Sequence, residues 1–236
     1  MSTETFYEQV GVAMTCRSYK EYEEMFMLDE LLLGKGPILD VAGGASSFST
    51  KANEQGYDAF AVDPLYNLPF EEMMCKGQKE MQEASEKLNK SLSSFSWESY
   101  GSLAKHIEIR KHSLDLFLNQ YQEKEANKRF VYGALPDLPF NNETFSLVLC
   151  NHFLFLYEEQ FDFNFHLQAI QELIRVTKKG GEIRIYPLVN FRGERYPYLN
   201  KLLDTLSRES LSVKTINTPF RFVPAATEVL IIKKAD

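Results

Sequence analysis

The feature that most constrains this chain is a short apolar run, Pro37-Ile-Leu-Asp-Val-Ala42, that stops at Gly43 and Gly44 and gives way to Ala45, Ser46 and Ser47. An uninterrupted apolar run of this length suits a strand buried on both faces of a parallel sheet. Adjacent glycines let the backbone turn sharply and approach its neighbours closely. Residues 46–54 then read as a helix whose hydroxyl side chains can cap its first N–H groups. A second apolar run, residues 57–62, ends at Asp63, and a doubly wound sheet places an acid on its ligand-bearing edge about twenty residues after such a turn. Strand, turn, helix, strand is a βαβ unit with a right-handed crossover. The chain is therefore expected to be α/β, with ligands at the C-terminal ends of its strands.

The rest of the chain fits one decorated domain, since 236 residues lie within the roughly 250 that a single core accommodates. Across residues 4–33, Tyr19, Tyr22, Met25 and Phe26 recur at helical spacing, which predicts an N-terminal cap of one or two amphipathic helices over residues 1–33. The main domain then spans residues 34–236. After Asp63 the strand pattern vanishes until residues 129–133, a gap too long for a bare loop. Within it, Met81, Ala84, Leu88 and Leu92 form one helical stripe, and Leu103, Ile107, Leu114, Phe117, Leu118 and Tyr121 form another. A helical insertion over residues 65–128, broken at the serine-rich stretch 91–102, follows. Residues 144–150 predict a fourth strand and residues 163–178 a helix, ended by Lys178, Lys179 and Gly180. Residues 182–186 predict a fifth strand, 198–207 another helix, and 212–216 and 228–233 two final strands able to pair as a hairpin.

Charge and cysteine usage narrow the function. The net charge is −7 with a pI near 5.3, whereas nonspecific nucleic-acid binding relies on surplus Lys and Arg. The insertion is no basic platform either, with ten Lys or Arg against ten Asp or Glu over residues 64–133. Small, neutral or cationic molecules fit better as partners than nucleic acid; oligomeric state is left open. Cys16, Cys75 and Cys150 are widely spaced and suggest neither a disulfide framework nor a metal site. With no apolar signal core at the start and no run reaching the roughly 18 apolar residues of a membrane span, the expected compartment is the cytoplasm.

Two cofactor classes use a strand–glycine turn–helix edge. A nicotinamide fingerprint asks for three glycines, and the aligned positions hold Ala42, Gly44 and Ser47. Gly43 and Gly44 would still admit a ligand close to the backbone, and the N–H groups opening the helix at Ser46 could receive an anionic group. The stretch Asp40-Val-Ala-Gly-Gly-Ala-Ser46 resembles the first motif of the class I S-adenosylmethionine-dependent methyltransferases. The resemblance extends in family order to Ala61-Val-Asp-Pro-Leu-Tyr66, to Gly133-Ala-Leu-Pro-Asp-Leu-Pro-Phe140 before Phe145-Ser-Leu-Val-Leu-Cys-Asn-His152, and to Glu172-Leu-Ile-Arg-Val-Thr-Lys-Lys-Gly-Gly181. It implies a three-layer Rossmann-like methyltransferase sheet, mostly parallel with a C-terminal antiparallel hairpin, and S-adenosyl-L-methionine as cofactor. By the same resemblance Asp63 accepts the ribose hydroxyls, Gly43 and Gly44 line the methionine part, and Asp40 orients its ammonium. Ala134 and Leu135 meet the adenine edge, Asn151 lies near the transferred methyl, and Ala42 and Pro64 complete the set.

Each position also has a plainer reading. Asp63 is a common turn residue before proline, His152 at a strand end is either a packing residue or a base, and the helix bearing Arg17, Tyr19 and Tyr22 is either a solvated face or a substrate wall. Arg192 and Arg195 are further candidates for holding an anion. The expected activity is in-line methyl transfer to a small molecule. A non-catalytic binding module on the same fold and a nicotinamide-dependent oxidoreductase are the alternatives.

Overall fold

The computed structural model describes residues 11–207 and 211–235. Its first helix, α1 (Tyr19–Phe26), starts where Ser18 and Glu21 form a reciprocal capping box, an arrangement worth about 1 kcal/mol. Tyr19, Tyr22, Met25 and Phe26 are all buried, as the spacing predicts. The N-terminal cap is otherwise not helical as expected. Residues 12–18 form an irregular strap, α2 (Glu30–Leu33) is a single turn, and residues 4–10 lie outside the described residues. The strap has no internal hydrogen-bond ladder because its polar groups are satisfied elsewhere. Ala13 N–H donates to Tyr157 Oη (2.9 Å) and Met14 N–H to Glu80 Oε2 (2.6 Å). Thr15 O and Arg17 O accept from Ala45 and Ser47 N–H.

The strands are β1 (Ile38–Val41), β2 (Ala59–Asp63), β3 (Phe130–Tyr132), β4 (Phe145–Asn151), β5 (Thr177–Tyr186), β6 (Leu211–Asn217) and β7 (Glu228–Lys234). Among the described residues they make one seven-stranded sheet of order β3-β2-β1-β4-β5-β7-β6. The first five are parallel and β7 runs antiparallel to both of its neighbours. Period-two alternation divides the core into layers. Val148 and Cys150 of β4 face α6 (Phe163–Val176) and α7 (Leu199–Leu206), meeting Ala169, Ile170, Leu173 and Leu202. Leu147 and Leu149 face the opposite layer, where α1 packs with Phe48 and Ala52 of α3 (Phe48–Glu54).

The insertion is a helix pair, α4 (Phe70–Lys90) and α5 (Leu103–Tyr121), broken in the serine-rich stretch. A Cβ on Gly77 in α4 would lie 2.8 Å from Leu114 Cδ1, so glycine lets the two helices approach. Leu114, Phe117 and Leu118 of α5 then close a third apolar cluster over Met14, Ala61 and Phe130.

One boundary differs from expectation. Helix α6 ends at Val176 rather than at Lys178, and Thr177 enters β5 with its Oγ1 bonded back to Leu173 O (2.7 Å). Gly180, at φ +68°, instead sits in an irregularity of the β4–β5 register. Gly181 is hemmed in there: a Cβ would lie 2.7 Å from Thr177 Cγ2 and 2.8 Å from Lys178 O.

Candidate active site

The sheet order reverses between β1 and β4, so their C-terminal ends border the crevice where open α/β sheets bind ligands. Val41 pairs with Cys150, which places Ala42 beside Asn151. The turn after β1 is held from three directions. Ala42 and Gly44 lie at φ +56° and +54°, a region that costs an L-residue roughly 1–2 kcal/mol. From β2, Asp63 Oδ2 accepts Gly44 N–H (3.0 Å); from the turn after β2, Tyr66 Oη donates to Gly44 O (2.9 Å). From the strap, Thr15 lies so close that a Cβ on Gly44 would be 3.2 Å from its backbone nitrogen.

The amides that open α3 are not available to an anionic group. Ser46 N–H goes to Gly43 O, Ser47 N–H to Arg17 O and Ser113 Oγ, and Phe48 N–H to Ser46 Oγ. A nicotinamide pyrophosphate has no seat at this helix. Gly43 and Gly44 shape the turn beneath the strap and do not face the cavity at the strand ends. Asp40 is also beneath it, 1% exposed, with Tyr22 Oη donating to its carboxylate at 3.0 Å. Burial pushes the Asp40 carboxyl well above its ordinary range, against the Tyr22 bond that favours the charged form.

A cavity of about 310 Å³ at the strand ends is bounded by Ala42, Asp63, Pro64, Ala134, Leu135, Asn151 and His152. Seven sequence candidates from four separate segments thus meet around one space. Asp63 accepts Gly44 and Leu65 N–H; burial raises its carboxyl above the ordinary value while those two bonds act the other way. The strap, Lys76 of α4 and an aromatic wall of Phe153, Phe161 and Phe165 close the space, with Phe161 and Phe165 stacked at 4.2 Å. Sequence reasoning missed these. The aromatic density after β4 was a usable signal, but Lys76 had none.

His152 has φ +48°, and its N–H donates to Tyr186 O at 2.7 Å. Its ring Nδ1 meets Asn151 Oδ1. Burial pushes the His152 pKa well below its ordinary value, and the Arg17 charge adds to this, so the ring is neutral.

A second cavity of about 110 Å³ adjoins the first and shares Ala13, Thr15 and His152 with it. Arg17, His106 and Arg110 line it together with Leu88, Phe95 and Phe222. Arg110 makes a bidentate pair with Glu21 at 2.5 Å per contact, and Arg17 reaches the same carboxylate at 3.0 Å. Burial alone would raise Glu21, but the charge and hydrogen bonds of Arg110, helped by Arg17, hold it well below the ordinary range. Of the expected substrate residues, Arg17 lines this second cavity. Tyr19 and Tyr22 do not, because their rings stack on Phe48 at 5.5 and 4.6 Å in the apolar layer. Arg192 and Arg195 pair with Glu159 and Glu228 on the surface. Among the described residues no group of His, Cys, Asp and Glu could hold a metal ion, and no helix is long and apolar enough to cross a membrane.

A doubly wound sheet closed by an antiparallel seventh strand, with the β2 acid on a cavity at the switch point, defines a Rossmann-like methyltransferase fold. The family model described as "Methyltransferase domain" matches residues 88–185. An uncharacterized protein of Methanocaldococcus jannaschii is 33% identical over 219 residues, covering 92% of this chain and 94% of that protein. Among solved structures, a TehB-like SAM-dependent methyltransferase of Corynebacterium glutamicum is similar at 12% identity and TM-score 0.48, over 93% of this chain and 88% of that one. A SAM-dependent methyltransferase of Methanosarcina mazei is similar at 13% identity and TM-score 0.47, over 88% and 98%. The chain belongs to the class I S-adenosylmethionine-dependent methyltransferase family, and S-adenosylmethionine is the cofactor that goes with that membership.

Proposed function

We propose that this protein acts in the cytoplasm and transfers the S-adenosylmethionine methyl group to a small molecule seated in the second cavity. The observation that carries the reading is that His152, Ala13 and Thr15 line both cavities, so a group held in one is adjacent to a group held in the other. The first cavity suits the cofactor. Asp63 offers a buried carboxylate to ribose hydroxyls, Ala134 and Leu135 line the space that would take an adenine edge, and Phe153, Phe161 and Phe165 offer an apolar wall to the base. Asp40 supports the turn through Tyr22 rather than touching the ligand.

When bound, the sulfonium supplies an electrophilic methyl and leaves as a neutral thioether. What this chain contributes is alignment and exclusion of water. The strap, tied down by Tyr157, Glu80, Ala45 and Ser47, forms the wall between the cavities and covers the glycine turn. His152, with its ring neutral, takes a proton from an acceptor that must lose one. The test is incubation with S-adenosylmethionine carrying a labelled methyl and a metabolite extract below about 1 kDa, the size that suits pockets of this kind. Label in the small-molecule fraction is expected. Label only on macromolecules, or none at saturating protein, refutes the reading.

A further inference from the structure

The second cavity contains a charge cluster whose bonds and charges do not close. Arg110 directs both terminal nitrogens at Glu21, and Arg17 Nη1 reaches Glu21 and, at 3.5 Å, Tyr100 Oη. Two atoms are left over: Arg17 Nε and His106 Nδ1 are fully buried and have no hydrogen-bond partner. Both residues line this cavity. Arg17 and Arg110, 6% and 8% exposed, carry two positive charges against the single negative charge of Glu21, which is 5% exposed. A buried surplus charge is strongly unfavourable unless a partner arrives. His106 does not add to the surplus, since burial lowers its pKa to about 3. Its neutral ring stacks on Phe222 at 5.2 Å and can present an Nδ1–H as a donor.

We propose that the second cavity binds a small carboxylate with an apolar body. One carboxylate oxygen receives Arg17 Nε–H and the other His106 Nδ1–H, while the body lies against Leu88, Phe95 and Phe222. A carboxylate fits better than a phosphate because its single negative charge matches the single surplus positive charge. This assignment rests on the reading of the cavity as the acceptor site, and it makes the methyl acceptor of this protein a molecule that carries a carboxylate for anchoring beside the separate group that receives the methyl.

The full chain, saturated with S-adenosylhomocysteine, is titrated calorimetrically with benzoate, hexanoate, benzamide and inorganic phosphate. At least one carboxylate is expected to bind, with benzamide and phosphate at least tenfold weaker. Arg17→Gln is expected to weaken carboxylate binding at least tenfold while leaving S-adenosylhomocysteine affinity unchanged. His106→Phe, which keeps an aromatic ring against Phe222 and loses both ring nitrogens, supplies a second variant with a severalfold loss. Benzamide or phosphate binding as tightly as the carboxylates, neither carboxylate binding, or full affinity in both variants would overturn the proposal. Carboxylate binding without S-adenosylhomocysteine binding would support the anion site and refute the methyltransferase reading; the converse would refute only the anion site.

Discussion

Glu21 is the acid that balances Arg17 and Arg110, and replacing it exposes how much of the insertion's attachment is electrostatic. Glu21→Gln keeps the shape and an oxygen for the Ser18 capping box but leaves two buried guanidinium groups without a counter-charge. Removing one member of a buried pair costs about 3–5 kcal/mol. At about 2–4 °C per kcal/mol for a protein of this size, the expected loss in Tm is about 6–20 °C. The double variant Glu21→Gln, Arg110→Met returns the cluster to its original single surplus charge. Its destabilisation should therefore fall short of the sum of the single effects by about 1–3 kcal/mol. Glu21 has a folded pKa below its unfolded value, so its contribution is complete above about pH 5 and is lost as pH falls through the folded pKa. The gap between wild type and Glu21→Gln should be flat from about pH 5 to 8 and narrow in acid. Circular-dichroism melts of the four proteins across this range are the assay. A single variant within about 1 kcal/mol of wild type, or strictly additive losses, would refute the reasoning.

Other parts of the site give further predictions. Asp40→Asn should raise Tm at pH 7: the folded pKa of Asp40 lies above its unfolded value, so its carboxylate is a stability cost that saturates above the folded pKa. A lower Tm measured by differential scanning fluorimetry would contradict this. Gly43→Ala places a Cβ 2.7 Å from Tyr66 Oη and 3.1 Å from Asp40 Oδ2, an overpacking worth about 1–3 kcal/mol. Adding Tyr66→Phe should restore part of that loss in urea melts, and no restoration would mean that Tyr66 Oη is not the obstacle. His152→Gln should leave S-adenosylhomocysteine affinity intact and lower kcat about 10²–10⁴-fold if the acceptor must be deprotonated; an unchanged kcat would remove His152 from the chemistry.

The parts of this molecule that were legible in its sequence are those built from short-range pattern. The run ending at Gly43 and Gly44, the acid at Asp63 and the apolar stripes of the insertion each leave a local periodic signal. The final hairpin does so too, and it pairs as expected, from Leu211 with Lys234 to Asn217 with Glu228. The strap left none, because residues 12–18 follow no period and their hydrogen bonds go to partners as distant as Tyr157 and Glu80. Its position on the turn also accounts for the burial of Gly43 and Gly44 and for the internal partners of the α3 amides. Glu21 and Arg110, 89 residues apart, are joined only by the docking of α5 against α1, which no periodicity announces. Lys178, Lys179 and Gly180 resemble a helix terminus, yet α6 stops at Val176, because Gly180 and Gly181 serve a tight irregularity in β5.

The central claim is that the cavity at the end of β1 and β4 holds S-adenosylmethionine through Asp63. Titration calorimetry of the full chain with S-adenosylmethionine, beside Asp63→Asn, tests it directly. One molecule bound per chain, with affinity reduced at least tenfold in Asp63→Asn, is the predicted result. No binding at any temperature, or equal affinity in the variant, would contradict it.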